Sequence, residues 1–303
     1  MADQSGFPST IQDHVSMFAS KDWQGIDAKG LRQAALVPTM LNIEEQAFYL
    51  WLTREWFQGC GAVVDLGSFA GGSAACLAEG FKQAEKSEIV HAYDKFEVGK
   101  YRALTKRHAR YLARPPASEC GLSPRPLPEF SGTDLLPLAQ FFLEPWGDQI
   151  KLHKGRIEEL GWHGGDIELL VMDASKTAET MDLMSRQFFP HLIPGKSVVV
   201  QQDFLWWQQP WISAQMALLQ PYFEPVAYIP KHSVSFLCTK AVPVDVLKDL
   251  NVAEFGDREM IQALRDMKQR LKGFPLDRYM RRLIEAVKAN PEKRKAFQFT
   301  TKP

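Results

Sequence analysis

Apolar positions along the chain fall into short continuous runs punctuated by glycine and acidic residues. Residues 62–66 (AVVDL) are apolar except for Asp65; a glycine cluster (Gly67, Gly71, Gly72) and an alanine-rich stretch over 73–81 follow. This reads as strand, tight turn and helix. The next apolar run, 89–93, ends on Asp94, which completes a βαβ unit. The rhythm continues with strands over 149–153, before Gly155; over 167–172, ending on Asp173; and over 197–201, ending near Asp203. Helical segments lie between them, one over 179–189. Short apolar strands alternating with helices predict a parallel sheet covered on both faces. Residues 222–229 and 234–239 predict a closing antiparallel pair, with Pro230 in the turn.

Other segments break this rhythm. Residues 1–41 read as a polar lead-in. Asn42 with Glu45 three residues on predicts a capping box, opening an amphipathic helix with Ile43, Ala47, Leu50 and Trp51 on one face. An insertion over 99–130 separates the second and third strands; its second half holds Pro115, Pro116, Pro124, Pro126 and Pro128, which exclude regular helix or central strand. The extension over 241–303 predicts two amphipathic helices, one with Ile261, Leu264, Met267 and Leu271 on a face and one starting near Asp277. The pattern thus gives a domain over 42–240 with helical additions at both ends.

Composition adds exclusions. The 303 residues are 45% hydrophobic and 24% charged, with 36 basic against 36 acidic side chains. These values exclude a disordered chain and give no global attraction to nucleic acid or an anionic membrane. The first fifteen residues lack the apolar core of a signal peptide, and no apolar run approaches the roughly 20 residues that cross a bilayer. Cys60, Cys76, Cys120 and Cys238 are scattered, without metal-ligand spacing; a reduced, cytoplasmic setting is expected. The neutral total hides a local excess. Lys95, Lys100, Arg102, Lys106, Arg107, Arg110 and Arg114 stand against Glu97 alone. That run is either a solvated helix face or a segment that attracts an anionic small-molecule acceptor. No nucleic-acid-binding motif accompanies it.

In an open α/β sheet, ligands bind outside the carboxyl ends of the strands. There the glycine turn (Gly67-Ser68-Phe69-Ala70-Gly71-Gly72-Ser73) leads into a helix N-terminus, which favours an anion. Asp94, at the end of the next strand, is placed to accept the two hydroxyls of a ribose. The plain alternatives are a strand–helix connection and a capping aspartate. Phe69 stands where the GxGxxG dinucleotide fingerprint has its second glycine, which argues against NAD and an oxidoreductase. A ligand with adenosine, a ribose diol and a carboxylate suits the pattern better, and S-adenosylmethionine (SAM) has all three.

The run VVDLGSFAGGSAACLA followed by HAYDKF resembles motif I and the acidic loop of class I SAM-dependent methyltransferases. With LLVMDASKTAETMDLMSRQFFPHLIPGKSVVVQQDF, the likeness extends over about residues 38–240 and is greatest to the macrocin-type sugar O-methyltransferase branch. The resemblance implies a Rossmann-like, doubly wound, mostly parallel α/β sheet with a terminal antiparallel pair. It implies SAM as cofactor, with Asp65, Gly67, Ser68, Gly71, Gly72 and Ser73 around the methionine part. Asp94 would hold the ribose, with Lys95 and Phe96 beside it, and Gly155, Arg156 and Ile157 would border the adenine. Asp173 and Asp203 would face the reacting methyl. The branch holds a divalent metal on an acid after the fourth strand and two adjacent acids after the fifth. Here Asp173 and Asp203 match, while Gln202 replaces the other acid and Ser175 stands where the branch often has a catalytic aspartate. Two carboxylates and an amide oxygen are a weaker Mg²⁺ set.

Among the seven histidines, His232 follows the penultimate strand and is the candidate general base, with His153 and His163, which flank the third strand, as weaker candidates. Trp206, Trp207 and Trp211 suit core packing, an oligomer contact or a pocket wall. The expected function is O-methylation of a small-molecule hydroxyl, on a sugar or natural-product-like acceptor, with no membrane partner and with the tryptophans and C-terminal helices as candidate homo-oligomer contacts. A non-catalytic protein that kept the fold for binding is the rival reading.

Overall fold

The structure is a computed structural model and describes residues 10–98, 122 and 133–303. Apart from Leu122, the proline-rich half of the insertion and all of its basic run but Lys95 lie outside the described residues. The chain divides into two compact units, one over 20–159 and the other over 160–303 together with the segment around the first helix.

In the first unit, α2 (Ile43–Trp51) starts at the expected capping box: Asn42 Oδ1 accepts from the Glu45 N–H at 3.0 Å, and Glu45 Oε2 accepts from the Asn42 N–H at 2.8 Å. The helix runs on into a π-helical turn, Leu52–Trp56. It is not amphipathic as expected. Every residue from Glu45 to Trp51 is buried, whereas Ile43 is partly exposed. Part of the reason lies upstream: Trp23 packs its ring against Phe48, outside the expected face, at 4.8 Å, as well as against Trp51, within it, at 5.3 Å. Residues 20–41 are therefore core-forming rather than a lead-in, with Trp23, Leu31, Ala34, Ala35 and Val37 buried.

Strands β1 (Ala62–Leu66), β2 (Val90–Asp94) and β3 (Ile150–Lys154) pair in parallel, with Val63 opposite Val90 and Val90 opposite Ile150. Helix α3 (Gly72–Gln83) connects β1 to β2, and α4 (Leu136–Leu143) precedes β3. A short helix, α5 (Ile157–Leu160), follows it.

The second unit carries β4 (Ile167–Met172), α6 (Ala178–Phe188), β5 (Val198–Gln201), α7 (Pro210–Leu218), β6 (Phe223–Tyr228) and β7 (Val234–Cys238). β4 and β5 are parallel and fully buried, and β7 runs antiparallel to both β5 and β6. The seven strands form one sheet in the order β3-β2-β1-β4-β5-β7-β6. This is the expected Rossmann-like, mostly parallel sheet with a terminal antiparallel pair.

Helix α1 (Ile11–Ala19) belongs to the second unit and packs on β6, burying His14 and Phe18. Its start is a capping box: Thr10 Oγ1 accepts from the Asp13 N–H, and Asp13 Oδ2 accepts from the Thr10 N–H. In the C-terminal region, α8 (Val244–Asp249) leads to α9 (Asp257–Arg270) and α10 (Asp277–Ala289), the latter starting where expected. The buried stripe of α9 is Met260, Ala263, Leu264 and Met267, with Leu271 just beyond; Ile261 is only half-buried. Trp207 and Trp211 are buried against Phe299, so core packing accounts for them, while Trp206 is exposed. Among the described residues, no helix is long and apolar enough to cross a membrane.

Candidate functional site

In the first unit, three strand ends are tied together by main-chain geometry. Gly67 leaves β1 with φ 100°. Its N–H donates to the Tyr93 carbonyl at 2.8 Å, and the Ser68 N–H donates to the same oxygen at 3.1 Å. Phe69 and Phe96 both take left-handed backbone, φ 52° and 51°, and both aim their N–H groups at Asp94. The Phe69 N–H reaches Asp94 Oδ2 at 2.9 Å, and the Phe96 N–H reaches Oδ1 at 2.7 Å. The Gly155 N–H closes the set on the Asp94 carbonyl at 3.0 Å. Asp94 is thus the pin that fastens the glycine turn, its own loop and the end of β3. Each carboxylate oxygen has a second lone pair, so a diol can still bind there.

The remaining predicted cofactor residues divide by burial. Asp65 is buried and accepts the Ser73 hydroxyl at 2.7 Å, which turns Ser73 inward. Ser68 is 2% exposed, and its hydroxyl has no hydrogen-bond partner among the described residues. A buried, unsatisfied hydroxyl is costly, and a bound polar group beside α3 would satisfy it. Phe96 and Ile157 are buried in the core; Lys95 is exposed; Arg156 is exposed and paired with Glu158 at 2.6 Å and Glu159 at 2.8 Å.

Two of the glycines have a different cause from the one the spacing suggested. A Cβ on Gly71 would lie 2.7 Å from the Leu143 side chain, and one on Gly72 would lie 2.4 Å from Thr39 Cβ and 2.9 Å from the Pro38 carbonyl. The protein's own chain occupies that space. The anion-favouring element of this loop is the first turn of α3, whose N–H groups lack intrahelical acceptors.

In the second unit, the ends of β4 and β5 bring Asp173 and Asp203 onto one cation, Lys176. Its ammonium lies 2.9 Å from Asp173 Oδ1 and 2.6 Å from Asp203 Oδ2. Burial opposes the charge on Lys176, but the two carboxylates outweigh it and hold its pKa above the usual value. Gln209 Nε2 also donates to Asp203 Oδ2, at 2.6 Å. Asp203 itself has φ 60°, a left-handed turn at the strand exit. Gln202 is buried, and its N–H binds the Met172 carbonyl at 3.1 Å. The Leu205 N–H donates to the His232 carbonyl at 3.0 Å, which brings the His232 backbone to the Asp203 turn. Ser175 is buried; its carbonyl accepts from Trp211 Nε1 at 2.8 Å, and its hydroxyl has no partner among the described residues.

The Mg²⁺ set does not fit this arrangement. An ammonium already bridges Asp173 and Asp203, and no group of three or more His, Cys, Asp or Glu side chains among the described residues is placed to hold a metal ion. Sequence reasoning missed Lys176 and Gln209. The Asp-x-x-Lys spacing over 173–176 was a signal, since it brings the two side chains within reach across one turn.

No family model and no curated protein matches the chain. Among solved structures, the S-adenosylhomocysteine (SAH)-bound methyltransferase PaMTH1 of Podospora anserina is 12% identical, with a TM-score of 0.44 over 78% of this chain and 91% of that one. The O-methyltransferase NovP is 12% identical, with a TM-score of 0.47 over 75% and 97%. MNMC2 of Aquifex aeolicus is 13% identical, with a TM-score of 0.35 over 76% and 77%.

Proposed function

We propose that the protein is a SAM-dependent methyltransferase acting on a hydroxyl of a small-molecule acceptor, with residues 42–240 as the catalytic domain and 1–41 and 241–303 as additions to it. The observation that carries this reading is the Asp94 pin. It holds a carboxylate with spare acceptor capacity beside a turn that presents a helix N-terminus and the unsatisfied Ser68 hydroxyl. A carboxylate suits a ribose diol, and a helix N-terminus suits the carboxylate of an amino-acid moiety. A pyrophosphate would be expected to need the glycine that Phe69 replaces.

SAM supplies an electrophilic methyl on a sulfonium when bound. The protein's task is to align an acceptor oxygen in line with it and to accept the hydroxyl proton. Asp173 and Asp203 are the proposed acceptor-orienting groups, and His232 is the proposed base. The acceptor is proposed to be anionic, on the strength of the basic run after Lys95. Lys176 favours one further reading: a carboxylate pair neutralised by an ammonium is a poor base, so the fold could bind SAM without turning it over.

Calorimetry with SAH, with NAD as the contrast, tests the cofactor. Micromolar SAH binding without NAD binding is the expected result, and NAD binding without SAH binding would overturn it. Methyl release measured with a panel of hydroxylated acceptors separates the enzyme from the binding protein.

A further inference from the structure

We propose that Lys176 is a built-in monovalent replacement for a divalent metal: its ammonium occupies the position between Asp173 and Asp203 and keeps divalent cations out. The assignment of this cluster to an acceptor rests on the methyl-transfer reading; the cation chemistry does not.

Asp173 and Asp203 follow adjacent parallel strands, with Met172 and Gln201 in register, so their carboxylates converge as a metal-binding pair would. Lys176 Nζ reaches both within hydrogen-bond distance. Asp203 Oδ2 takes a second short bond from Gln209 Nε2, so a metal would have to displace two donors from one oxygen.

The lysine is also held from behind. The Ala296 N–H donates to the Lys176 carbonyl at 2.9 Å, the Ala178 N–H donates to the Arg294 carbonyl at 2.9 Å, and Thr177 pairs with Lys295 as an isolated antiparallel bridge. Gln208 Nε2 reaches the Phe299 carbonyl at 2.7 Å from the other side of that C-terminal segment. The backbone on both sides of Lys176 is therefore pinned, although its side chain is half-exposed. This gives the end of the C-terminal extension a role: it fixes the loop that delivers the ammonium. Two of the three ammonium protons go to the carboxylates; the third remains for an oxygen ligand. A fixed cation there stabilises negative charge on such an oxygen without an exchangeable ion.

Mn²⁺ is the probe. Wild-type protein, Lys176→Met and Lys176→Gln are titrated and bound Mn²⁺ is read by electron paramagnetic resonance, with circular dichroism to establish folding. Wild type is expected to show no saturable binding below about 10 mM, while either variant gains a site in the roughly 0.1–1 mM range of weak oxygen-ligand sites. Asp203→Asn placed on Lys176→Met should abolish the gained site. Saturable Mn²⁺ binding by wild type that Asp203→Asn removes would overturn the proposal. Folded variants at Lys176 that gain no site would overturn it equally. SAH binding in the same samples reports on the methyltransferase reading separately: its loss alone, with the Mn²⁺ pattern intact, sinks that reading and leaves this one standing.

Discussion

Asp94 and Asp203 each close a parallel strand, and the protein satisfies them in opposite ways. Asp94, in the first unit, receives two main-chain N–H groups from residues locked in left-handed backbone. Asp203, in the second, receives side-chain donors from Lys176 and Gln209. The first carboxylate is rigid, because its donors cannot move without moving a loop. The second shares its charge with a side-chain ammonium that it holds jointly with Asp173. An aspartate at a strand end is therefore a reliable sign of position and a poor sign of chemistry. What faces it decides whether it holds a diol, a metal or a lysine.

The contrast breaks most directly at the loop that serves Asp94. Gly72→Ala would push a Cβ into Thr39 and the Pro38 carbonyl. We expect a loss of about 2–3 kcal/mol, the usual cost of overpacking, read by urea unfolding. A neutral result would mean that the turn is loose and that Asp94 is not rigidly held. Asp94→Ala comes next. Leaving the Phe69 and Phe96 N–H groups without their acceptor costs about 2 kcal/mol. SAH affinity should fall at least about tenfold, since a bidentate diol contact is worth that much. Unchanged affinity in a folded variant would remove Asp94 from the cofactor site.

The two units also oppose each other in their response to pH. Buried Asp182, in the second unit, accepts from Gln215 Nε2 and the Ala253 N–H, yet desolvation outweighs these bonds and pushes its pKa from 3.8 up to about 6. The folded state then holds the proton more tightly than the unfolded state, so this term loses stability as pH rises from about 4 to about 6. His153, in the first unit, stacks on Tyr93 and meets His91 at 3.2 Å. Burial, then the neighbouring His91 and Lys151, lower its pKa from 6.5 to about 4. Its term loses stability as pH falls through the same window. The wild-type midpoint should therefore change little between pH 4 and 6 on account of these two. Asp182→Asn should expose a slope rising with pH, and His153→Gln one falling with pH, each about 1 kcal/mol after solvent screening. Parallel slopes in the two variants would refute the assignment.

What the sequence disclosed follows the same division. The strands were legible to within a residue or two, most plainly β4 and β5, because fully buried parallel strands are unbroken apolar runs: residues 167–172 needed no adjustment, and 197–201 lost only its first residue. The Asn42–Glu45 cap was legible because caps are local chemistry, whereas α10 starts near the expected Asp277 without a side-chain cap. The all-round burial of α2 was not, since Trp23 lies some 20 residues upstream and covers it by tertiary contact. The site divides likewise. The residues of the glycine turn and Asp94 could be named from spacing, but the sequence could not reveal that Leu143 and Thr39, rather than a ligand, press on Gly71 and Gly72. Nor could it reveal that Lys176 would bridge two acids, one of them 27 residues away.

Arg156 gives the smallest and most discriminating effect. It stands next to Gly155, which the Asp94 pin includes, and resemblance placed it at the adenine. Its guanidinium is exposed and pairs with Glu158 and Glu159 on the same short helical turn. Such surface pairs contribute about 0–1 kcal/mol, so Arg156→Ala should shift the unfolding midpoint by a degree or so, roughly. If the guanidinium serves only those glutamates, SAH affinity in Arg156→Ala stays within about twofold of wild type, a change near 0.4 kcal/mol. If it also stacks on the adenine, affinity falls by about five- to tenfold with the same small loss of stability. A large stability loss fits neither case. It would mean that the end of β3 is held by Arg156 rather than by the Gly155 N–H on Asp94, and the contrast between a backbone-held and a side-chain-held aspartate would then fail at its first member.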